Sequence, residues 1–109
     1  MFKYFKEDEI IGLNRGLIEM LDRAREYAGI PFKITSGYRS PEYETGKGRD
    51  PSGPHTTGKA VDLRVRNSNE RFLILKALFA VGFDRIGNEI DHIHADICED
   101  RDLNVVWLK

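Results

Sequence analysis

The stretch AVDLRVRN, residues 60–67, alternates apolar and polar side chains along most of its length. Successive side chains of an extended chain point to opposite faces, so Val61, Leu63 and Val65 share one face. Asp62 and the two arginines that follow it share the other. This alternation predicts a β-strand with one side on an apolar core and the other side free to carry polar groups.

A second stretch, HIHADI at residues 92–97, alternates in the same way. His92, His94 and Asp96 share one face of this predicted strand, and three apolar residues share the other. If both strands belong to one sheet, Asp62 and His94 lie on the same polar face.

Two helices are predicted around these strands. From about residue 6 to residue 28 apolar residues recur with helical spacing, and Gly29 followed by Pro31 is a typical stop signal. A second helix, apolar almost all round, begins with a capping box at Asn67 and runs to about Val81.

The remaining elements complete a fold prediction. Short strands are predicted at 32–35 and 104–109, and residues 40–54 are predicted to be an irregular loop. We interpret Trp107, in the last strand, as a core residue. The order of elements predicts an α+β fold, with a small antiparallel sheet, helices packed on one face and a site on the other.

Length, charge and composition narrow the classes of function. The 109 residues predict a single domain, 1–109, and the net charge of −1 comes without a basic stripe, so we expect no nucleic-acid partner. The stretch MFKYFKEDEI at 1–10 has no apolar signal segment, and no stretch is long enough to span a membrane. We therefore expect synthesis in the cytoplasm, no membrane insertion and a monomer.

Three potential metal ligands stand out on this framework. His55 ends the long loop, Gly58 permits a turn after it, and Asp62 and His94 follow on the predicted strands. Two imidazoles and a carboxylate, with water in the fourth place, are the ligand set of a catalytic zinc site, although other divalent metals also accept it. The alternative is a solvated face, on which Asp62 pairs with a neighbouring arginine.

The motifs SGYRS (36–40), HTTGKAVD (55–62) and DHIH (91–94) together resemble a known enzyme family. They are similar to those of the zinc D-Ala-D-Ala carboxypeptidases, the related D,D-dipeptidases and the L-alanyl-D-glutamate endopeptidases, whose fold Hedgehog domains share. The family hallmark is S-x-H-x-x-G-x-A-x-D followed by a downstream histidine. The stretch GFDRIG (82–87) also resembles small phage and bacterial members. Gly53 stands where the hallmark has its serine.

The resemblance implies a ligand set and a substrate contact. It implies one zinc ion per chain, held by His55, Asp62 and His94. It also implies that Arg39 contacts the substrate carbonyl or carboxylate, with Ser36 and Tyr38 of the same motif as further substrate-binding candidates. A fixed guanidinium can stabilise a developing oxyanion. The alternative for this arginine is a salt bridge to a glutamate at 42 or 44.

The general base is left open between two residues. Many relatives carry E-x-x-H, and Asp91 stands at that glutamate position. Others carry D-H-x-H, which favours His92, and strand parity places this histidine on the face of His94. Either group can accept a proton from the attacking water. Asp96 is a candidate for orienting a ligand imidazole, or else a surface aspartate.

The resemblance implies a zinc peptidase that cuts a peptide bond in peptidoglycan stem peptides, as a carboxypeptidase or an endopeptidase. We expect the stem peptide to be its partner and the cell wall to be its place of action, reached after release as by a phage or prophage lysin. The alternatives are a non-catalytic, zinc-stabilised binding module of the same fold and a hydrolase with a different substrate.

Overall fold

The computed structural model describes residues 2–108, in which helices and strands alternate up to the third α-helix and three strands then follow in succession. The helices are α1 (Arg15–Ala28), α2 (Pro41–Gly46) and α3 (Ser68–Ala80). The strands are β1 (Ile34–Ser36), β2 (Ala60–Arg64), β3 (Arg85–Asn88), β4 (His92–Asp96) and β5 (Val105–Leu108). The predicted α+β class is confirmed. Lys109, at the end of the last predicted strand, lies outside the described residues.

The strands form one five-stranded sheet in the order β1-β2-β4-β3-β5. β2 pairs antiparallel with β1 and with β4, and β3 pairs antiparallel with β4. β5 runs parallel to β3, so the sheet is mixed where a wholly antiparallel sheet was predicted. The reason is that the chain leaving β4 crosses past β3 to the sheet edge before it forms β5.

The strand β3 is absent from the sequence-based prediction. Its four residues, RIGN, place a single apolar side chain, Ile86, between an arginine and a glycine, so they show no repeated alternation of apolar and polar residues. Without that period-2 pattern a four-residue strand gives no periodic signal. Its place between β4 and β5 nevertheless brings it directly beside the histidine-bearing strand.

The first helix begins later than predicted. Residues 7–9 form a separate short 3-10 helix, and Gly12 follows with a φ of +78°, which interrupts any continuous helix. The Asn14 side chain then accepts hydrogen bonds from two amides of the first turn of α1. The predicted stop is correct, because Gly29 ends α1 in the left-handed conformation.

The segment 40–54, predicted to be an irregular loop, contains α2. Ser40 caps this short helix by accepting a hydrogen bond from the backbone amide of Tyr43, and Pro41 occupies its first turn. A serine followed by proline is a recognisable start signal, so the helix could have been predicted.

The core lies between α1, α3 and one face of the sheet. It contains the inward side chains that the alternation of β2 and β4 predicted, together with the apolar faces of both helices. The fully buried members include Leu17, Leu21, Leu63, Ile74, Leu78, Ile86 and Ile93. No helix within 2–108 is long and apolar enough to cross a membrane. Because the core covers only one face of the sheet, the opposite face is available for polar groups.

Candidate metal centre and active site

The candidate site is a row of residues that crosses the sheet on the face away from the helices. The strand register places Ser36 opposite Asp62, Asp62 opposite His94, and His94 opposite Gly87. Trp107 completes the row opposite Gly87 on the edge strand. Four of these residues carry side chains and the fifth is a glycine, which leaves space above the sheet at that point.

Three buried side chains converge at the centre of the row. One oxygen of Asp62, Oδ1, lies 3.4 Å from His55 Nε2 and 3.1 Å from His94 Nδ1. The potential ligand atoms of the three residues all lie within 4.8 Å of one another. The residues proposed as ligands from the sequence are thus brought together, although they come from a loop and two strands.

The second nitrogen of each histidine has its own acceptor. His55 Nδ1 lies 2.7 Å from the carbonyl oxygen of Gly37, and His94 Nε2 lies 2.7 Å from Asp96 Oδ2. Since a carbonyl and a carboxylate only accept, these two nitrogens are the protonated ones. The remaining nitrogens face Asp62, and a bound metal ion would take the place of a proton on them.

Asp96 lies beside His94 on the same face of β4 and is fully buried, so it is not a surface aspartate. Its Oδ1 accepts hydrogen bonds from Arg85 Nε at 2.6 Å and from the Cys98 amide at 3.1 Å. Burial raises the pKa of Asp96, but the hydrogen bonds from His94 and Arg85 outweigh it and hold that pKa below its usual value. Asp96 is therefore a carboxylate that orients His94.

The two carboxylates attract positive charge to the point where the ligand atoms meet. Burial lowers the pKa of His94, yet Asp62 and Asp96 together raise it to about 9. In turn, His55 and His94 hold the pKa of Asp62 far below its usual value, although burial of Asp62 acts in the opposite direction. A divalent cation requires the same electrostatic environment, so the donor set fits a metal ion.

Arg39 approaches the metal centre from the β1 side. Its Nη1 donates to Ser36 Oγ at 2.9 Å and lies 3.9 Å from Asp62 Oδ2. Its Nε donates to Glu44 Oε1 at 2.9 Å. The salt bridge considered as an alternative from the sequence therefore exists, and it holds the guanidinium beside the site. Ser36 contributes to the same positioning.

Tyr38 has a different place from the other members of the SGYRS motif. Its side chain is 44% exposed, and its ring lies directly over Gly12. Tyr38 and Arg39 both line a cavity of about 410 Å³, together with the other residues of 35–40 and Tyr43. Tyr38 thus forms part of a wall beside the metal centre.

His92 approaches the metal centre from the other side, between two carboxylates. Its Nδ1 lies 2.8 Å from Asp91 Oδ1, and its Nε2 lies 3.2 Å from Glu89 Oε2 and 3.9 Å from Asp62 Oδ2. The Asp91 side chain is 87% exposed, and its carboxylate contacts Nδ1, the imidazole nitrogen on the side away from Asp62. His92 therefore stands between Asp91 and the metal centre.

Two neighbours of the site were missed in the sequence. Glu89 was overlooked because it lies in the turn after β3, outside any alternating pattern. Trp107, which we interpreted as a core residue, lies on the polar face, with its ring centroid 5.2 Å from that of His94. Gly87 makes this possible, since a Cβ there would lie only 2.5 Å from the indole Nε1 of Trp107.

The fold and the site together define a class of protein. Two imidazoles and a carboxylate that converge on one face of a sheet, beside a fixed arginine, form a ligand set typical of catalytic metal sites. The chain belongs to the Peptidase M15 family, whose model matches residues 5–96. The protein is therefore a peptidase of a metallopeptidase family, and His55, Asp62 and His94 could hold its metal ion.

A solved structure supports the fold. The chain is similar to the L-Ala-D-Glu endopeptidase ChiX of Serratia marcescens, with a TM-score of 0.64 and 19% sequence identity. The match covers 84% of this chain and 85% of that protein. No protein of curated function matches this chain in sequence.

Proposed function

We propose that the protein is a zinc metallopeptidase that hydrolyses a peptide bond in the stem peptides of peptidoglycan. The observation that carries the proposal is the convergence of His55 Nε2, Asp62 Oδ1 and His94 Nδ1 between two further polar groups. These groups are Arg39 and His92: Arg39 Nη1 and His92 Nε2 each lie 3.9 Å from the second oxygen of Asp62, Oδ2. Membership of the M15 family and the likeness to ChiX support the substrate class.

Zinc is the proposed ion, one per chain, because two imidazoles and a carboxylate without a thiolate are typical ligands of catalytic zinc. When bound, zinc polarises the scissile carbonyl and lowers the pKa of water. The chain itself orients the ligands: the Gly37 carbonyl holds His55, and Asp96 holds His94.

Arg39 is proposed to bind the carbonyl oxygen on which negative charge develops, or a neighbouring substrate carboxylate. Glu44 and Ser36 hold the guanidinium in advance, so little reorganisation is needed when the charge appears. The side chain is only 21% exposed, which strengthens its electrostatic effect relative to a solvated arginine.

His92 is proposed to be the group that moves the proton, at Nε2. This atom is the one that faces Asp62, whereas the Asp91 carboxylate contacts Nδ1 on the far side of the ring. Asp91 then orients the imidazole and stabilises its protonated form, as a carboxylate does behind a catalytic histidine. Between the two bases considered from the sequence, this geometry favours His92.

The peptidoglycan substrate places the proposed site of action at the cell wall, which a phage-type lysin reaches after its release. The experiment is incubation of the zinc-loaded protein with purified peptidoglycan and with defined stem peptides, followed by mass analysis of the fragments. We expect one peptide bond to be cut, and His55→Ala, which removes a ligand, to abolish the cut. A zinc-loaded wild type that cuts no stem peptide would contradict the proposal and favour a non-catalytic binding module.

A further inference from the structure

Beside Arg39 a second arginine shares the same buried carboxylate. Glu44 has a side chain only 5% exposed, although it stands on a six-residue helix in an otherwise exposed segment. Its Oε1 accepts from Arg39 Nε at 2.9 Å, and its Oε2 accepts from Arg49 Nε at 2.6 Å. One carboxylate thus holds two guanidinium groups close together.

The charges in this cluster do not cancel. Burial raises the pKa of Glu44, but the two arginines outweigh it and hold that pKa below its usual value, so the group is ionised. Around Glu44 one negative charge faces two positive ones, Arg39 and Arg49, and the nearby Asp62, 3.9 Å from Arg39 Nη1, also faces His55 and His94. A single counter-charge is enough to compensate a buried carboxylate, so the second arginine is not required for that purpose alone.

Both guanidinium groups retain donors beyond those that contact Glu44. A guanidinium carries five N–H donors in a planar fork. The named contacts of Arg39 engage its Nε and Nη1, and Arg49 contacts Glu44 through Nε. The Arg49 side chain is 47% exposed, so its outer edge is accessible to a ligand.

The cluster lies beside the cavity that residues 35–40 and Tyr43 line, which we take to be the path of the substrate. Arg39 lines the cavity of about 410 Å³ together with Tyr43, and the guanidinium carbon of Arg49 lies 5.7 Å from the centre of the Tyr43 ring. Because Arg39 Nη1 is also 3.9 Å from Asp62, this cavity adjoins the metal centre. A peptide advances roughly 3.3–3.6 Å per residue, so the cluster can meet a group within a few residues of the scissile bond.

We propose that Arg39 and Arg49 form a subsite for a free carboxylate of the substrate, and that Glu44 is the residue that positions both arginines. Planar, paired donors match a carboxylate better than any neutral group of the same shape. The inference rests on the proposed function and adds to it a substrate requirement: a free carboxylate near the bond that is cut. A carboxamide at the same position should be cut more slowly.

The test compares matched acid and amide substrates. Stem peptides are prepared with the D-Glu α-carboxylate free or amidated, and with the C-terminal carboxylate free or amidated. Wild type is expected to prefer the acid in one of these pairs, and Arg49→Ala is expected to lower kcat/KM for that acid by roughly tenfold to a hundredfold, as the loss of a charged hydrogen bond does. For the matching amide, kcat/KM should change less than about twofold, because the amide never made that bond.

The matched control is Arg23→Ala, which removes the same charge from an exposed position on α1. It should leave both substrates unaffected, and zinc content should be equal in all variants. If Arg49→Ala lowers kcat/KM for the acid and the amide equally, or lowers it for neither substrate, the proposal of a carboxylate subsite is wrong. If wild type cuts stem peptides without preferring either acid, the subsite is likewise wrong but the proposed function stands. If wild type cuts none of the peptides, the proposed function fails and the subsite with it.

Discussion

His94 Nε2 lies 2.7 Å from Asp96 Oδ2, two residues further along the same strand. Residues i and i+2 of a strand share a face, so this contact follows from the local backbone. Arg85 holds the other oxygen of the same carboxylate at 2.6 Å. The carboxylate is thus fixed from one side and orients the imidazole on the other.

Asp96→Asn should weaken the apparent metal affinity by about 10- to 100-fold, because carboxylates that orient ligand histidines contribute about that much. The substitution keeps the shape of the side chain but removes the charge that faces Arg85, so the Tm should fall and the affinity is measured below the Tm of the variant. Competition with a chelator measures the affinity. Asp100→Asn, at an exposed position, is the control and should leave the affinity unchanged. Equal affinities in both variants would show that Asp96 does not support the metal.

His94→Ala should abolish stoichiometric zinc binding. We expect about one zinc per wild-type chain, by the three-ligand rule for catalytic zinc. Because metal binding is linked to folding, zinc should raise the Tm of the wild type and leave that of the variant unchanged. Elemental analysis and thermal unfolding with and without zinc measure both effects. A wild type that is active and stable without any metal would contradict the proposal.

Arg39→Ala should keep zinc bound, since Arg39 is not a proposed ligand. Hydrolysis should fall by roughly a hundredfold or more, as after removal of one donor to an oxyanion. Single-turnover rates on a stem peptide, with zinc content measured in the same sample, are the test. Unchanged rates would remove this arginine from the mechanism.

His92→Ala and Asp91→Ala should differ in size of effect. His92 faces Asp62, so its loss should cost on the order of a hundredfold to ten-thousandfold in kcat, as for general-base catalysis. Asp91→Ala should cost less, because its carboxylate acts on the imidazole from behind. Both variants should retain zinc. A larger loss for Asp91→Ala than for His92→Ala would reverse the assignment.

Gly87→Ala should disturb the site through Trp107. The new methyl group would overlap the indole ring, which must then move away from His94. Forced repacking of this kind typically costs about 1–3 kcal/mol. Chemical denaturation and tryptophan fluorescence measure the change. Gly46→Ala, where an added methyl group meets nothing, is the control.

The sequence by itself determined which face each strand residue occupies. Strand alternation has a period of two and depends only on the local backbone, so Asp62 and His94 could be assigned to one polar face without a structure. The spacing of HTTGKAVD added His55 through its resemblance to a family. The two strands β2 and β4 then proved to be neighbours with these residues directly opposite.

Only the tertiary structure decided which distant groups meet at that face. Glu89 and Trp107 reach the site because β3 and β5 lie beside β4, and strand order cannot be read from local periodicity. The same holds for Glu44, which joins Arg39 and Arg49 from a helix that we had predicted to be a loop. Local patterns depend on neighbours in the chain, whereas these contacts depend on how remote segments pack, and packing is decided by the whole core at once.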